Sequence, residues 1–186
     1  MSGLYSLRDA NRSVKLAAVM FLLVLGLAYV FAFLMVRQYA GLTPGDVAAT
    51  YVPQKVEASR LPQESHSRTA PLELTTMKEE RHQVDTPLLI QDSHIHIMIY
   101  AIVAALQTLV ILGLGWSAGW RDVVILAAFG SGAMDFAGQW LMKAGIGGFA
   151  WLTIGSGWVM TAVYLVVLIG TLRAVFGGRT TQALGG

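Results

Sequence analysis

The sequence predicts an all-α, polytopic membrane protein, a four-transmembrane-helix bundle with a long external segment between helices one and two. Two observations carry this expectation. The 186 residues are 55% hydrophobic and only 13% charged, whereas soluble domains carry roughly 25% charged residues. The apolar residues also fall into four runs, Leu16–Val36, Ile95–Gly115, Val123–Met142 and Phe149–Leu172. Each run matches the roughly 20 residues that cross the hydrocarbon core of a bilayer.

The first run follows Arg8, Arg12 and Lys15, the way a signal peptide begins. It is longer than a signal h-region of roughly 7–15 residues, and bulky Phe31, Phe33 and Met35 leave no small-residue cleavage site. It therefore reads as an uncleaved first helix. Trp116, Trp120, Trp140, Trp151 and Tyr39 lie near the ends of the four runs, where interfacial aromatics belong.

Lys and Arg near the helix ends give the orientation. A compact basic N-terminus usually stays inside. The expected partition is a cytoplasmic 1–15, spans at 16–36, 93–115, 123–143 and 149–172, and a cytoplasmic loop at 116–122. Residues 37–92 and the turn 144–148 are then periplasmic, and the tail 173–186 is cytoplasmic. The bacterial inner membrane is the expected location. A net charge of +2 is too small to suggest nucleic acid, and the bases read as topology signals.

Within the external segment, Thr43-Pro44-Gly45-Asp46 reads as a helix start: Thr at the N-cap, Pro at N1 and an acid at N3. A short helix through Tyr51 is expected. Pro53, Pro62 and Pro71 among many polar residues then predict an extended connector up to about Gln91.

The chain has no cysteine, which removes disulfides, thiolate zinc sites, iron–sulfur clusters and covalently attached haem. It has four histidines, and two stand together in Ser93-His94-Ile95-His96 at the mouth of the second span. Histidine is expensive in a span and tends to be functional there.

At about 100° per residue, His94 and His96 face nearly opposite ways on a helix. His96, Tyr100, Ala104 and Gln107 form one stripe; His94, Met98, Ala101, Ala105 and Thr108 form a less polar one. Polar groups should face the bundle, so His96 is the expected inward residue. Asp135 is the only carboxylate well inside a span. Ala128, Ser131, Gly132, Gly138 and Gln139 share its face. Thr153, Ser156, Gly157, Thr161 and Tyr164 form a matching stripe on the fourth helix. Three roles stand open for Asp135: accepting from Tyr100, Gln139 or His96, taking part in proton movement, or binding a partner's basic residue.

Several readings of these residues stand side by side. His96 is either a structural histidine hydrogen-bonded across helices or a ligand. A b-type haem would use its neutral imidazole, with a second ligand from His82, His66, Met35, Met134 or Met160. Copper or zinc would need Asp92-x-His94-x-His96 to be locally extended, so that alternate residues share a face. A quinone headgroup would suit a histidine, a carboxylate and aromatics near the membrane surface. No nucleophile–base arrangement or phosphate loop is visible, since Gly145-x-Gly147-Gly148 is a turn between spans. A non-catalytic subunit is therefore expected. A transporter is disfavoured by the lack of an inverted repeat and the few intramembrane charges.

Several motifs together resemble a family of small four-helix bacterial inner-membrane proteins. They are Gly41-Leu42-Thr43-Pro44 after the first helix, Ser93-His94-x-His96 opening the second, Asp135 with Trp140 in the third, and Gly157 early in the fourth. The resemblance implies a haem or metal site at His94 and His96, and association with respiratory electron-transfer proteins. The expected function is then a membrane electron-transfer subunit with b-type haem near the periplasmic face. His96, His94, Tyr100 and Asp135 would be its cofactor-binding residues, and a c-type cytochrome or a larger membrane complex its partner. The alternative is a non-redox structural or assembly subunit of such a complex.

Overall fold

The computed structural model describes residues 5–53 and 84–177. Helix α1, Arg12–Met35, starts where the Asn11 side chain accepts from the Val14 N–H at 2.9 Å, satisfying one of the donors a helix start leaves open. It runs on into a single wide π-turn, Val36–Ala40. The run stops at Gly41, whose φ of 78° glycine adopts without the Cβ penalty. A Cβ there would also meet the Asp46 side chain at 2.4 Å.

Helix α2, Pro44–Tyr51, is the short helix that the Thr43-Pro44-Gly45-Asp46 signature predicts. The Thr43 hydroxyl accepts from the Asp46 N–H at 3.2 Å and donates to the Asp46 carboxylate at 2.7 Å. Helix α3, Thr86–Gly113, repeats the device with Asp85 as N-cap, accepting from the Leu88 N–H at 2.8 Å, and with Pro87 in its first turn. It therefore begins seven residues before the expected span start at 93, inside the stretch read as connector. Helix α4, Ala118–Lys143, and helix α5, Ala150–Phe176, are joined by a turn through Gly145 and a 3₁₀ turn, Gly147–Phe149.

Helix α4 is central, packed along α5 on one side and α3 on the other, while α1 packs along α5. The described chain ends lie at the same end of the bundle. The Leu7 N–H donates to the Gly113 carbonyl at 2.7 Å and the Tyr5 hydroxyl to the Leu109 carbonyl at 2.8 Å. The Gly113 carbonyl is one that the end of α3 leaves open; the Tyr5 hydroxyl adds a second tie one turn earlier. The Trp116 indole rests on Gly170 of α5 at that end.

At the opposite end α2 packs on α4, α5 and the 3₁₀ turn. There the Val84 N–H donates to the Thr50 carbonyl at 3.0 Å, and the Lys143 ammonium donates to the Val84 carbonyl. An apolar core of Leu22, Val110, Ile111, Val124, Val163 and Val167 fills the half nearer the chain ends. A smaller one, Val47, Met142 and Ala150, lies under α2.

Among the described residues three stretches are long and apolar enough to cross a membrane: Arg12–Ala40, Thr86–Gly113 and Gly147–Phe176. Helix α4 is of similar length, with 26 residues, but carries Arg121, Asp122, Asp135 and Lys143. Outward-facing Leu23, Leu27, Phe31, Leu126 and Trp158 are exposed, the pattern of side chains that contact lipid rather than a core.

Candidate functional site

Between the two apolar cores the helices present polar side chains to one another, and Asp135 of α4 is where they meet. Its Oδ2 accepts from Gln139 Nε2 at 3.1 Å, one turn along the same helix, and from the Tyr100 hydroxyl of α3 at 3.4 Å. Its Oδ1 lies 3.4 Å from the Ser156 hydroxyl of α5. The Ser156 hydroxyl also donates to the Thr153 carbonyl at 2.7 Å. Three helices thus converge on one carboxylate. Hydrogen-bond partners are what make a buried carboxyl tolerable.

Tyr100 is seated by close packing. Its ring lies on Gly132 of α4, where a Cβ would come within 3.1 Å of Cδ2, and tilts against Phe136 with centroids 5.5 Å apart. Gly138 lets α5 approach still closer, so that an added Cβ would stand 2.3 Å from Thr153 Oγ1 and 3.1 Å from the Thr153 backbone nitrogen. These small residues are filled by neighbouring helices of the same chain, as in tightly crossing membrane helices.

His96 sits one turn before Tyr100, ring centroids 6.1 Å apart. Its Nδ1 lies 2.9 Å from the Asp92 carbonyl and 3.5 Å from the Asp92 carboxylate. A bond to a carbonyl requires the proton on Nδ1, which leaves the Nε2 lone pair outward. Along the stripe His96, Tyr100, Ala104 and Gln107, Ala104 and Gln107 are buried and Tyr100 is half-buried, while the His96 side chain is 45% exposed. His94, Met98, Ala101 and Ala105 are exposed.

Asp92, His94 and His96 are all helical, so His94 and His96 point about 200° apart. The extended run that would bring all three onto one copper or zinc ion is not formed, because the Asp85 cap starts the helix upstream of them. Among the described residues no group of three or more His, Asp and Glu could hold a metal ion. Of the other candidate haem ligands, Met35 and Met134 are exposed and Met160 is half-buried. His66, His82, Pro62 and Pro71 lie outside the described residues.

Three members of the site were not singled out for it from sequence. Ser93 is buried and its hydroxyl accepts from Trp140 Nε1 at 3.0 Å, tying α3 to α4. Ser156 supplies the contact from α5. Tyr51, the last residue of α2, comes in from the end: burial, then the charges of Asp135 and Asp92, push its phenol from the usual 10.0 up to about 12. The capping motif that predicts α2 places Tyr51 at its C-terminus, but only the tertiary fold turns it toward Asp135.

No curated protein and no solved structure matches the chain. A family model described as a transmembrane helical domain matches residues 41–182. That range takes in α2 to α5 and every residue around Asp135. The chain is therefore a membrane protein and belongs to this transmembrane helical domain family.

Proposed function

We propose that this protein is an electron-transfer subunit of the bacterial inner membrane that binds b-type haem at the α2 end of the bundle, with His96 as an axial ligand. In this reading α1, α3, α4 and α5 all cross the bilayer. Both termini are cytoplasmic and α2 is periplasmic, next to a c-type cytochrome or a larger respiratory complex. The carrying observation is the state of His96: Nδ1 is engaged by the Asp92 carbonyl, the orienting bond that metal-bound histidines typically make through the nitrogen that is not the ligand. His96 would hold the group through Nε2, the nitrogen that the Asp92 bond leaves free. Haem, when bound, supplies the one-electron chemistry; the chain supplies the oriented imidazole, with Tyr100 packed beside it. His94 faces away and is not assigned a ligand role. The test is haem content after purification in mild detergent. His96→Ala should lose haem while still inserting, and His94→Ala should keep it. Equal haem in both variants would reject the assignment.

A non-redox assembly subunit is the second reading. It is favoured by Gly130 and Gly157, where an added Cβ would meet nothing within 4 Å, because small residues on an open helix face allow a partner helix to approach. Bulky residues at those positions would then block complex assembly without changing the isolated chain.

A further inference from the structure

We infer that Asp135 is a proton-exchange site, and that it gains and loses its proton only from the end of the bundle that carries α2. This does not depend on haem binding. The first support is the asymmetry around the carboxyl. Oδ2 faces two donors, Gln139 Nε2 and the Tyr100 hydroxyl. Oδ1 faces the Ser156 oxygen, whose single hydrogen is directed to the Thr153 carbonyl over the shorter distance of 2.7 Å. A Ser oxygen that has given its hydrogen away still has lone pairs to accept with. The arrangement therefore suits a proton on Oδ1, donated to Ser156, while Oδ2 keeps both its donors. The carboxylate form is served by the same partners once the Ser156 hydroxyl rotates toward Oδ1. One pocket thus satisfies both states, and the exchange is a simple one: a carboxylate plus a proton gives the acid.

The second support is one-sided access. Asp135 lies eight residues from Lys143 and 17 from Ala118 on α4, about 12 Å and about 26 Å along the axis. On the short side the groups facing it are polar. Tyr51 of α2 and Tyr100 and His96 of α3 are close enough to feel its charge, and Asp92 of α3 is close enough to act on Tyr51. Tyr29 of α1, which stacks on Tyr164, acts on Tyr100 through space, and Lys143 sits two turns above on α4. From α5 come Ser156 and Thr153. On the long side the buried Ser131, whose hydroxyl donates to the Ala128 carbonyl, and the buried Gln107 come first. Beyond them Leu22, Val110, Ile111, Val124, Val163 and Val167 close the interior around Tyr164, whose hydroxyl donates to the Leu22 carbonyl. The Ser131 and Tyr164 hydroxyl hydrogens are both given to backbone carbonyls, and the apolar layer between them offers a proton no continuous chain of partners.

Infrared difference spectroscopy on the full chain tests this. A protonated-carboxyl band should titrate with pH, shift in deuterated buffer, and be lost in Asp135→Asn. In Ser156→Ala the band should remain but move to higher frequency, because the acid loses its acceptor; helix content by circular dichroism checks that both variants fold. In oriented proteoliposomes, deuterium added on the α2 side should exchange the band, and deuterium on the side of the chain ends should not. A band that survives Asp135→Asn, no titrating band in folded protein, or a band unmoved by Ser156→Ala would overturn the assignment. Exchange from the chain-end side would overturn the one-sided access.

Discussion

Tyr164 of α5 occupies the notch that Gly26 leaves in α1, and its hydroxyl donates to the Leu22 carbonyl at 3.1 Å. This is the main polar tie of α1 to the rest of the bundle, with Tyr29 stacked beside it at 5.1 Å. A Cβ on residue 26 would stand 2.2 Å from the Tyr164 oxygen. Gly26→Ala should therefore push the ring out, break the bond to Leu22 and destabilise the protein by ~1–3 kcal/mol. A lowered thermal midpoint in detergent is the expected reading; an unchanged midpoint would mean that α1 does not depend on this seat.

Gly138 and Gly130 lie on one helix but make opposite predictions. At Gly138 an added Cβ meets Thr153 Oγ1 at 2.3 Å, and backbone atoms of Thr153 and Phe149 at 3.1 and 3.3 Å. Backbone cannot rotate away, so Gly138→Ala should cost ~2–3 kcal/mol. At Gly130 nothing lies within 4 Å, so Gly130→Ala should be neutral or gain up to ~1 kcal/mol of helix propensity. Comparative unfolding of the two variants in one detergent checks the contrast.

Alkaline pH should expose Tyr51. Its folded value, about 12, lies above the ordinary 10.0. Between these values the unfolded chain gives up the phenolic proton and the folded chain keeps it, so folding stability falls as pH rises through that window. Below about 10 the contribution is constant. An ultraviolet titration should show late-ionising tyrosines, and Tyr51→Phe should lower the late amplitude by one phenol. If the late amplitude is unchanged in Tyr51→Phe, Tyr51 is not held by Asp135 and Asp92.

Trp140→Phe should cost ~1 kcal/mol, because it leaves the buried Ser93 hydroxyl without its indole donor while keeping an aromatic ring. Ser93→Ala together with Trp140→Phe should cost little more than Trp140→Phe alone, since the cycle removes both partners. Additive losses would show that the 3.0 Å contact contributes nothing to stability.

Much of this arrangement was legible in the sequence because membrane helices and caps have strong local signals. Thr43-Pro44-Gly45-Asp46 marks α2 by its own chemistry, and the turn of about 100° per residue separates the Tyr100, Ala104 and Gln107 stripe from His94. The early start of α3 was equally available: Asp85-Thr86-Pro87 is the same cap-and-proline signature, masked by the polar stretch around it. Ser156 and Tyr51 were not legible as partners of Asp135. Their approach depends on how α5 and α2 dock on α4, which is set by Gly138, Thr153 and Met142 packing rather than by any local pattern. The hydrogen bond of His96 also goes to its own helix, to the i−4 carbonyl of Asp92, rather than across to Asp135.

The central claim is tested most directly by a reduced-minus-oxidised visible spectrum of the full chain purified in mild detergent. The account predicts a b-type haem band at near-stoichiometric amount that disappears in His96→Ala. No haem band in well-folded wild-type protein would contradict it and leave the assembly-subunit reading in its place.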